Sequence, residues 1–549
     1  MLDQSVLLQW ERVLGREHVV TEASKLNQAE TATFHSSQRI PAILYPDARP
    51  QLQDCLRIAS ENGVPVYPVS TGKNWGYGSR VPPSPDCVLI DLGRMNRILD
   101  FNENLAYVTI EPGVTQQQLF DYLREKGSKL WIDATGSTPD SSLIGNAIER
   151  GFGHTPYGDH ASNVCGFEVV LPNGDYLETG FSRFANAAAA PVYRPGLGPS
   201  LDGLFMQSNF GVITRMTLWL MPAPEYFQAF FFRCDRENGL PGIIDALRPL
   251  RLSGTLRSAV HVGNDYKVLA GIQQYPWDAT GGVTPLSPEV MKKLRKTMHF
   301  GAWNGSGGLY GTRAQVAEAR RLLKRSLKGV ADQLQFLDAS RLELASRMAA
   351  SRLAGPFHAI AKWDLRRTLE LVRPLFGLMR GVPTDHPLAS VYWRKRTPPP
   401  AKMDPDRDGC GLMWCSPVAP AEGSHAVALA EIASGIMLRH GFEPMLSITL
   451  NTDRSIICVI SLTYDREVPG EDERARACSM ELEAALAAKG YRSYRLGIQS
   501  MDQMSGGGAH GRMLAAIKKF VDPGNILAPG RYSAGSKPLG QSAKGTERS

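Results

Sequence analysis

The chain has 549 residues, too many for one compact core, so two or three domains are expected. Hydrophobic residues at 43% and charged residues at 21% are ordinary globular usage, which excludes a disordered, collagen-like or coiled-coil chain. The net charge of +7 is diffuse, no aromatic–basic interleaving suggests a nucleic-acid groove, and no apolar run approaches the ~18–20 residues of a membrane helix.

Residues 1–34 read as a helical, polar segment without a strong core face. From Pro41 the pattern becomes strand (42–45), helix (51–62) and strand (65–70), the alternation of an α/β unit. Strands follow at 88–92 and 105–114, then an amphipathic helix at 116–126 and a hairpin turning at Pro172-Asn173-Gly174-Asp175. Residues 181–199 read as a loop, and 211–222 as a strand that stops at a proline, where a boundary is placed. Beyond it the text changes to strands at 227–232, 260–271, 301–310, 411–418, 445–450 and 456–462. Helices at 240–252, 312–328, 426–440 and 472–489 accompany them, as in a separate α+β domain with an antiparallel sheet. The expected division is 1–34, 35–222, 223–490, a return segment 491–532, and a disordered tail 533–549.

The 8 cysteines show no C-x-x-C and no zinc-like spacing, so they read as reduced and buried, and no metal site is indicated. No secretory signal is visible at the start, which points to the cytoplasm. The basic runs Arg320-Arg321 to Lys324-Arg325 and Arg394-Lys395-Arg396 read as solvated faces or as a docking surface for an acidic partner. Gly305-Ser306-Gly307-Gly308 looks like a phosphate loop but lacks the lysine, and reads as a strand-to-helix turn.

Four blocks carry the chemistry. Ser70-Thr71-Gly72-Lys73-Asn74-Trp75-Gly76-Tyr77-Gly78-Ser79 follows a strand, and its glycines let backbone N–H groups converge on an anion. It is neither a Walker loop nor G-x-G-x-x-G. The second block, Gly136-Ser137-Thr138-Pro139-Asp140-Ser141-Ser142 with Gly145 and Asn146, runs on to Gly151-Phe152-Gly153; so many small polar residues suit a groove for a long polar cofactor. The third is Ser208-Asn209-Phe210-Gly211-Val212-Ile213, and the fourth is Asp522-Pro523-Gly524-Asn525 through Pro529-Gly530-Arg531-Tyr532.

In this order and spacing the four blocks resemble the vanillyl-alcohol oxidase/p-cresol methylhydroxylase family of FAD-linked oxidoreductases. The resemblance covers about residues 40–222 and 410–532. It implies a two-lobed FAD-binding domain of the p-cresol methylhydroxylase type and an α+β cap domain, with one FAD per chain. It further implies a homodimer that oxidises a para-substituted phenol or aromatic alcohol by hydride transfer from the benzylic carbon to flavin N5. The family's phenolate-holding positions match Tyr77, Tyr494 and Arg495. Cofactor contacts are expected from Thr71, Gly72, Lys73, Asn74, Gly76, Ser79, Gly136, Ser137, Ser141, Gly145, Asn146, Gly153, Ile213 and Arg531. A cytochrome, azurin or oxygen would take the electrons.

The chain departs from the family at three points. The strand that carries a flavin-linked His in the oxidase branch reads Gly411-Leu412-Met413-Trp414, so the covalent link, if present, falls to Tyr392, as in the methylhydroxylase branch. Asp140 is the counterpart of the carboxylate near flavin N5 or a helix cap. The late segment Thr452-Asp453-Arg454-Ser455 lacks the His proposed to activate water. The rival readings are a flavoenzyme of the same fold using a non-phenolic alcohol or a 2-hydroxy acid, with Arg495 on a carboxylate, and a non-catalytic binding protein.

Overall fold

The computed structural model describes residues 2–350, 365–504 and 508–533. All of the tail expected to be disordered, except Ser533, lies outside them.

The first lobe is a four-stranded sheet in the order Val19–Val20, Ile43–Leu44, Val88–Asp91, Val66–Val69, with the last three strands parallel. Helix Arg49–Glu61 connects two of them and buries Leu52, Cys55, Leu56 and Ala59. Residues 1–34 do more than expected. Asp3 caps helix Gln4–Leu14, and Val6, Trp10 and Leu14, spaced four apart, form a buried face that packs into this lobe's core. The Trp10 indole N–H donates to the Cys55 carbonyl at 3.2 Å.

The second lobe is an antiparallel sheet in the order Ile98–Asn102, Tyr107–Ile110, Val212–Trp219, Val164–Val170, Tyr176–Glu178. Helix Gln116–Glu125 and the short helix Leu143–Ile148 cover one face. The chain's end returns to the first lobe as the fourth block implied. Val66 N–H donates to the Ile526 carbonyl at 2.8 Å, and Ala528 N–H to the Val66 carbonyl at 2.7 Å. The Asp522 carboxylate accepts from the N–H groups of both Ile526 and Leu527.

The cap is one antiparallel sheet. It runs Gln333–Leu337, Tyr226–Cys234, Trp303–Gly311, Val260–Asn264, Met445–Leu450, Ser455–Asp465, Pro417–Pro420, Arg492–Ser493, and Cys410–Cys415 also pairs with Ser455–Asp465. Helices Leu240–Leu252, Arg313–Ser326, Gly423–Arg439 and Glu471–Ala488 cover one face in the largest core of the molecule. Strand alternation decides what faces the other way. Val260, Val262, Ile448, Leu450, Met413 and Cys415 enter the helix-backed core, while His261, Ser447, Thr449 and Trp414 face the two lobes.

Three expectations are corrected here. The strand expected over 260–271 ends at Asn264, whose side chain accepts from Lys267 N–H and starts helix Asp265–Ile272. The glycines of 305–308 lie inside strand Trp303–Gly311 rather than in a turn. A Cβ at Gly305 would stand 2.0 Å from the Phe232 ring, and one at Gly307 2.6 Å from Phe230, so the glycines admit aromatic rings, not phosphate. Arg394 and Lys395 are buried rather than solvated, with Arg394 paired to Glu443 at 2.8 Å and Lys395 to Asp465 at 2.8 Å.

Candidate active site

A cavity of about 510 Å³ runs between the two lobes and the open face of the cap sheet. Thr71, Gly72, Lys73, Asn74 and Ser79 line it from the first block. Gly136, Ser137, Ser141, Gly145 and Asn146 line it from the second, with Ile213 and Arg531 at one end. Gly76 and Gly153 do not line it. A Cβ on Gly76 would strike Trp414 at 2.1 Å, and one on Gly153 would strike Asp133 at 1.4 Å, so both glycines allow close packing beneath the cradle.

The cradle suits the pyrophosphate of FAD. Among the described residues, the backbone N–H groups of Thr71, Gly72, Lys73 and Asn74 donate to no protein acceptor, and their side chains line the cavity. Four consecutive free donors form an anion-binding concavity. The cap holds this loop in place. Asp404 pairs with Lys73 at 3.1 Å, while Asp406 accepts from the Trp75 indole at 3.1 Å and from the Ser79 hydroxyl at 2.8 Å. Burial, with nearby Asp404 adding to it, pushes the Asp406 carboxyl up to about 7.

Tyr77, Tyr494 and Arg495 converge. The Arg495 guanidinium carbon lies 4.3 Å from the centre of the Tyr77 ring, and the Tyr494 hydroxyl lies beside both side chains. The Tyr77 hydroxyl is 3.3 Å from Ser416 Oγ. Ser416 and the Tyr494 backbone, whose N–H donates to the Ser416 carbonyl at 3.2 Å, join the late segment to the cap sheet. Burial raises the phenols of Tyr77 and Tyr494, which keeps both as O–H donors at neutral pH.

Glu149, absent from the expected site, organises the cations. Its carboxylate meets Arg495 Nε at 3.2 Å, Arg531 Nη2, and the Tyr532 hydroxyl at 3.1 Å. Burial alone would raise this carboxyl, but Arg531 and Arg495 outweigh it and hold it below its ordinary range. Two guanidiniums thus share one carboxylate, leaving a net positive charge in a buried corner. Arg531 also donates to the Tyr67 hydroxyl at 3.0 Å. The only trace of Glu149 in the sequence was a charge just after the second block, and no motif marks it.

Two expected residues stand elsewhere. Asp140 is exposed and does not line the cavity, and the cap of helix Leu143–Ile148 is Ser142, which accepts from Gly145 N–H at 2.9 Å. Tyr392 is buried, but its hydroxyl donates to Asp408 at 2.6 Å and it does not line the cavity. A flavin link through that oxygen requires it to leave Asp408.

The cap wall adds groups that the sequence did not single out. His261 of the cap meets His154 of the second lobe, the two rings tilted by 35° with centres 4.7 Å apart. Burial depresses both imidazoles, His261 further because His154 lies beside it, so both are neutral at pH 7. Lys267 and Trp414 complete the wall.

The FAD binding domain family matches residues 40–180. The 1'-carboxy-chondrochloren decarboxylase of Chondromyces crocatus is 45% identical over 531 residues, covering 96% of this chain and 97% of that protein. The 4-cresol dehydrogenase (hydroxylating) flavoprotein subunit of Pseudomonas putida is 32% identical, covering 94% and 93%. Among solved structures, p-cresol methylhydroxylase with substrate bound superposes with a TM-score of 0.85 at 29% identity over 96% of each chain. The 4-ethylphenol oxidase from Gulosibacter chungangensis, in its isoeugenol complex, gives 0.86 at 29% over 96% of each. With a relative above 30% identity aligned along nearly its whole length, and a cradle shaped for a dinucleotide, the chain belongs to the vanillyl-alcohol oxidase/p-cresol methylhydroxylase family and is an FAD-dependent oxidoreductase.

Proposed function

We propose that the protein oxidises a para-substituted phenol at its benzylic carbon. The observation that carries this reading is the convergence of Tyr77, Tyr494 and Arg495 on one corner of the cavity. A free phenol has a pKa near ~10, so ionising it at pH 7 costs about 4 kcal/mol. Two hydroxyl donors and a desolvated guanidinium aimed at the oxygen offset a cost of this size. Once the phenol is a phenolate, its oxygen pushes charge through the ring and the benzylic hydride becomes a good leaving group. Bound FAD supplies the hydride acceptor. The chain's residues hold the oxyanion, exclude water and fix the ring's orientation. Thr71 to Asn74 would hold the pyrophosphate, and the small polar residues of the second block would line the remainder of the groove.

Anaerobic addition of 4-ethylphenol to the holoenzyme should bleach the flavin, while a 2-hydroxy acid such as lactate should not. The reverse result would support the hydroxy-acid reading, in which Arg495 takes a carboxylate. Whether the electrons leave to oxygen or to a cytochrome- or azurin-like carrier is read by oxygen uptake with and without an artificial acceptor. The homodimer is checked by light scattering.

A second reading is favoured by the 45% identical relative, which is named a decarboxylase. If the carbon next to the benzylic position carries a carboxylate, hydride loss gives a quinone methide. The C–CO₂ bond then breaks, its electron pair returns to the ring to restore the phenolate, and an alkene and CO₂ result. This outcome needs no activated water, consistent with the missing His near Thr452.

A further inference from the structure

We infer that the cap wall of the cavity is a carboxylate site, and that the substrate's para side chain carries an anionic group held by Lys267, with His261, Ser447 and Thr449 beside it. This rests on the phenol reading above for the other end of the substrate.

Lysine is almost never fully buried unless paired, and Lys267 is half-buried where it lines the cavity. Lys267 descends from helix Asp265–Ile272 into the cavity, yet among the described residues no carboxylate pairs with it. Its ammonium reaches Ser461 Oγ at 3.3 Å and lies 5.6 Å from the centre of the Trp414 ring. Burial lowers it to about 8, so it remains mostly a cation at neutral pH, but one without a carboxylate partner among the described residues.

The surroundings are polar by construction. His261 pairs in register with Thr449, and Gly263 with Ser447, so alternation along two neighbouring strands points His261, Ser447 and Thr449 toward the cavity. The Lys267 stem packs over Gly263, where a Cβ would stand in ordinary contact with its Cγ at 3.6 Å. His261 Nδ1 contacts Thr449 Oγ1 at 3.1 Å, while its Nε2 is buried with no hydrogen-bond partner. A cation beside a row of hydroxyls suits a carboxylate far better than an alkyl chain.

The position matches the other end of the substrate. Ser416, which contacts the Tyr77 hydroxyl, and Trp414, which faces Lys267, both line the cavity. They are next but one along extended chain, about 7 Å apart. A phenol anchored at Tyr77 can therefore present its para side chain toward Lys267.

The test compares 3-(4-hydroxyphenyl)propionate with 4-ethylphenol on the holoenzyme, by anaerobic flavin bleaching, for the wild type, Lys267→Met and Lys267→Arg. The ratio of kcat/KM for the acid to that for the neutral phenol should fall on the order of 10–100-fold in Lys267→Met and recover in Lys267→Arg. An unchanged ratio would overturn the assignment and leave Lys267 a structural residue. If neither compound bleaches the flavin, the phenol reading fails, and the carboxylate site is tested separately by 3-phenylpropionate. Its binding, followed by perturbation of the flavin spectrum, should weaken by a similar factor in Lys267→Met, and equal affinities would overturn the site.

Discussion

The two ends of the cavity treat positive charge in opposite ways. At the flavin-domain end, Arg495 and Arg531 share Glu149 and are flanked by Tyr67, Tyr77, Tyr494 and Tyr532, so each cation is fixed before any ligand arrives. At the cap end, Lys267 has one serine hydroxyl and no carboxylate among the described residues. Burial therefore acts differently on the two. Glu149 and the tyrosines more than offset it for Arg495 and Arg531, whose pKa values rise, whereas nothing offsets it for Lys267, whose pKa falls. A cation fixed in advance suits transition-state stabilisation, because no reorganisation is needed when charge develops. A cation left unpaired is set up to gain its partner from a ligand.

The sharpest way to break this contrast is to remove the shared carboxylate. Glu149→Gln leaves two buried guanidiniums facing each other and should destabilise the protein by about 3–5 kcal/mol. The expected result is a clearly lower urea midpoint, with Arg495 and Arg531 no longer held in place. An unchanged midpoint would mean that the two arginines are not organised through Glu149.

Arg495→Ala ranks next. Losing the cation aimed at the phenolate should slow flavin reduction by 4-ethylphenol by about 10²–10³-fold, the scale of a lost oxyanion donor. The pH profile should move with it, because the substrate phenol must then ionise nearer its own pKa. A variant with the wild-type profile would show that Arg495 does not stabilise the phenolate.

Both experiments involve residues of which one was visible in the sequence and one was not, and the reason is physical. The glycine-rich loop from Ser70 to Ser79 needs particular residues at particular positions, so its chemistry can be read locally, and Tyr77 comes with it. Tyr494-Arg495 is recognisable beside that loop because the family's order of blocks is preserved. Glu149, Ser416 and Lys267 acquire their roles only through contacts between segments far apart in the chain, such as Lys267 with Ser461 across 194 positions and Ser416 with Tyr77 across 339. Local pattern also misled at 260–271, where an apolar run hid the helix start that Asn264 provides by accepting from Lys267 N–H. Most cap strands and helices were legible because alternation and helical periodicity are local signals. The polar face that those strands present to the cavity follows only from knowing which side the helices cover.

The cap end has its own test, independent of any substrate. The Lys267 pKa falls from its ordinary 10.5 to about 8 in the folded protein. Between these values the unfolded chain binds more protons, so wild-type stability from this group rises with pH through that window. Below about pH 8 the full penalty applies, about 3 kcal/mol at ~1.36 kcal/mol per pH unit. Lys267→Met should therefore be more stable than the wild type at pH 7 by up to about that amount, with the gain fading as the pH approaches 10.5. Urea titrations at pH 7 and pH 10 read the difference. A loss of stability at pH 7 would show that the lysine has a compensating partner.

Ser416→Ala makes a smaller change at the other end. The Tyr77 hydroxyl would lose one neighbour at 3.3 Å but keep Tyr494 beside it, with the Arg495 guanidinium still over the Tyr77 ring. A single neutral hydrogen bond contributes about 1 kcal/mol, so flavin reduction should slow by roughly 5-fold with the fold intact. A loss as large as that of Arg495→Ala would mean that Ser416 itself meets the substrate.

The smallest expected effect belongs to Asp140. Its carboxylate is exposed, lies outside the cavity lining and caps no helix, that place being taken by Ser142. Exposed substitutions without a specific partner usually stay within about 0.5 kcal/mol. Asp140→Asn should leave the rate of flavin reduction, its pH profile and the unfolding midpoint at wild-type values. A fall of tenfold or more in the rate would place a carboxylate from the second block beside the reacting carbon after all. The loop from Ser137 to Ser142 would then have to close inward when FAD and substrate bind, carrying Asp140 from the surface into the cavity.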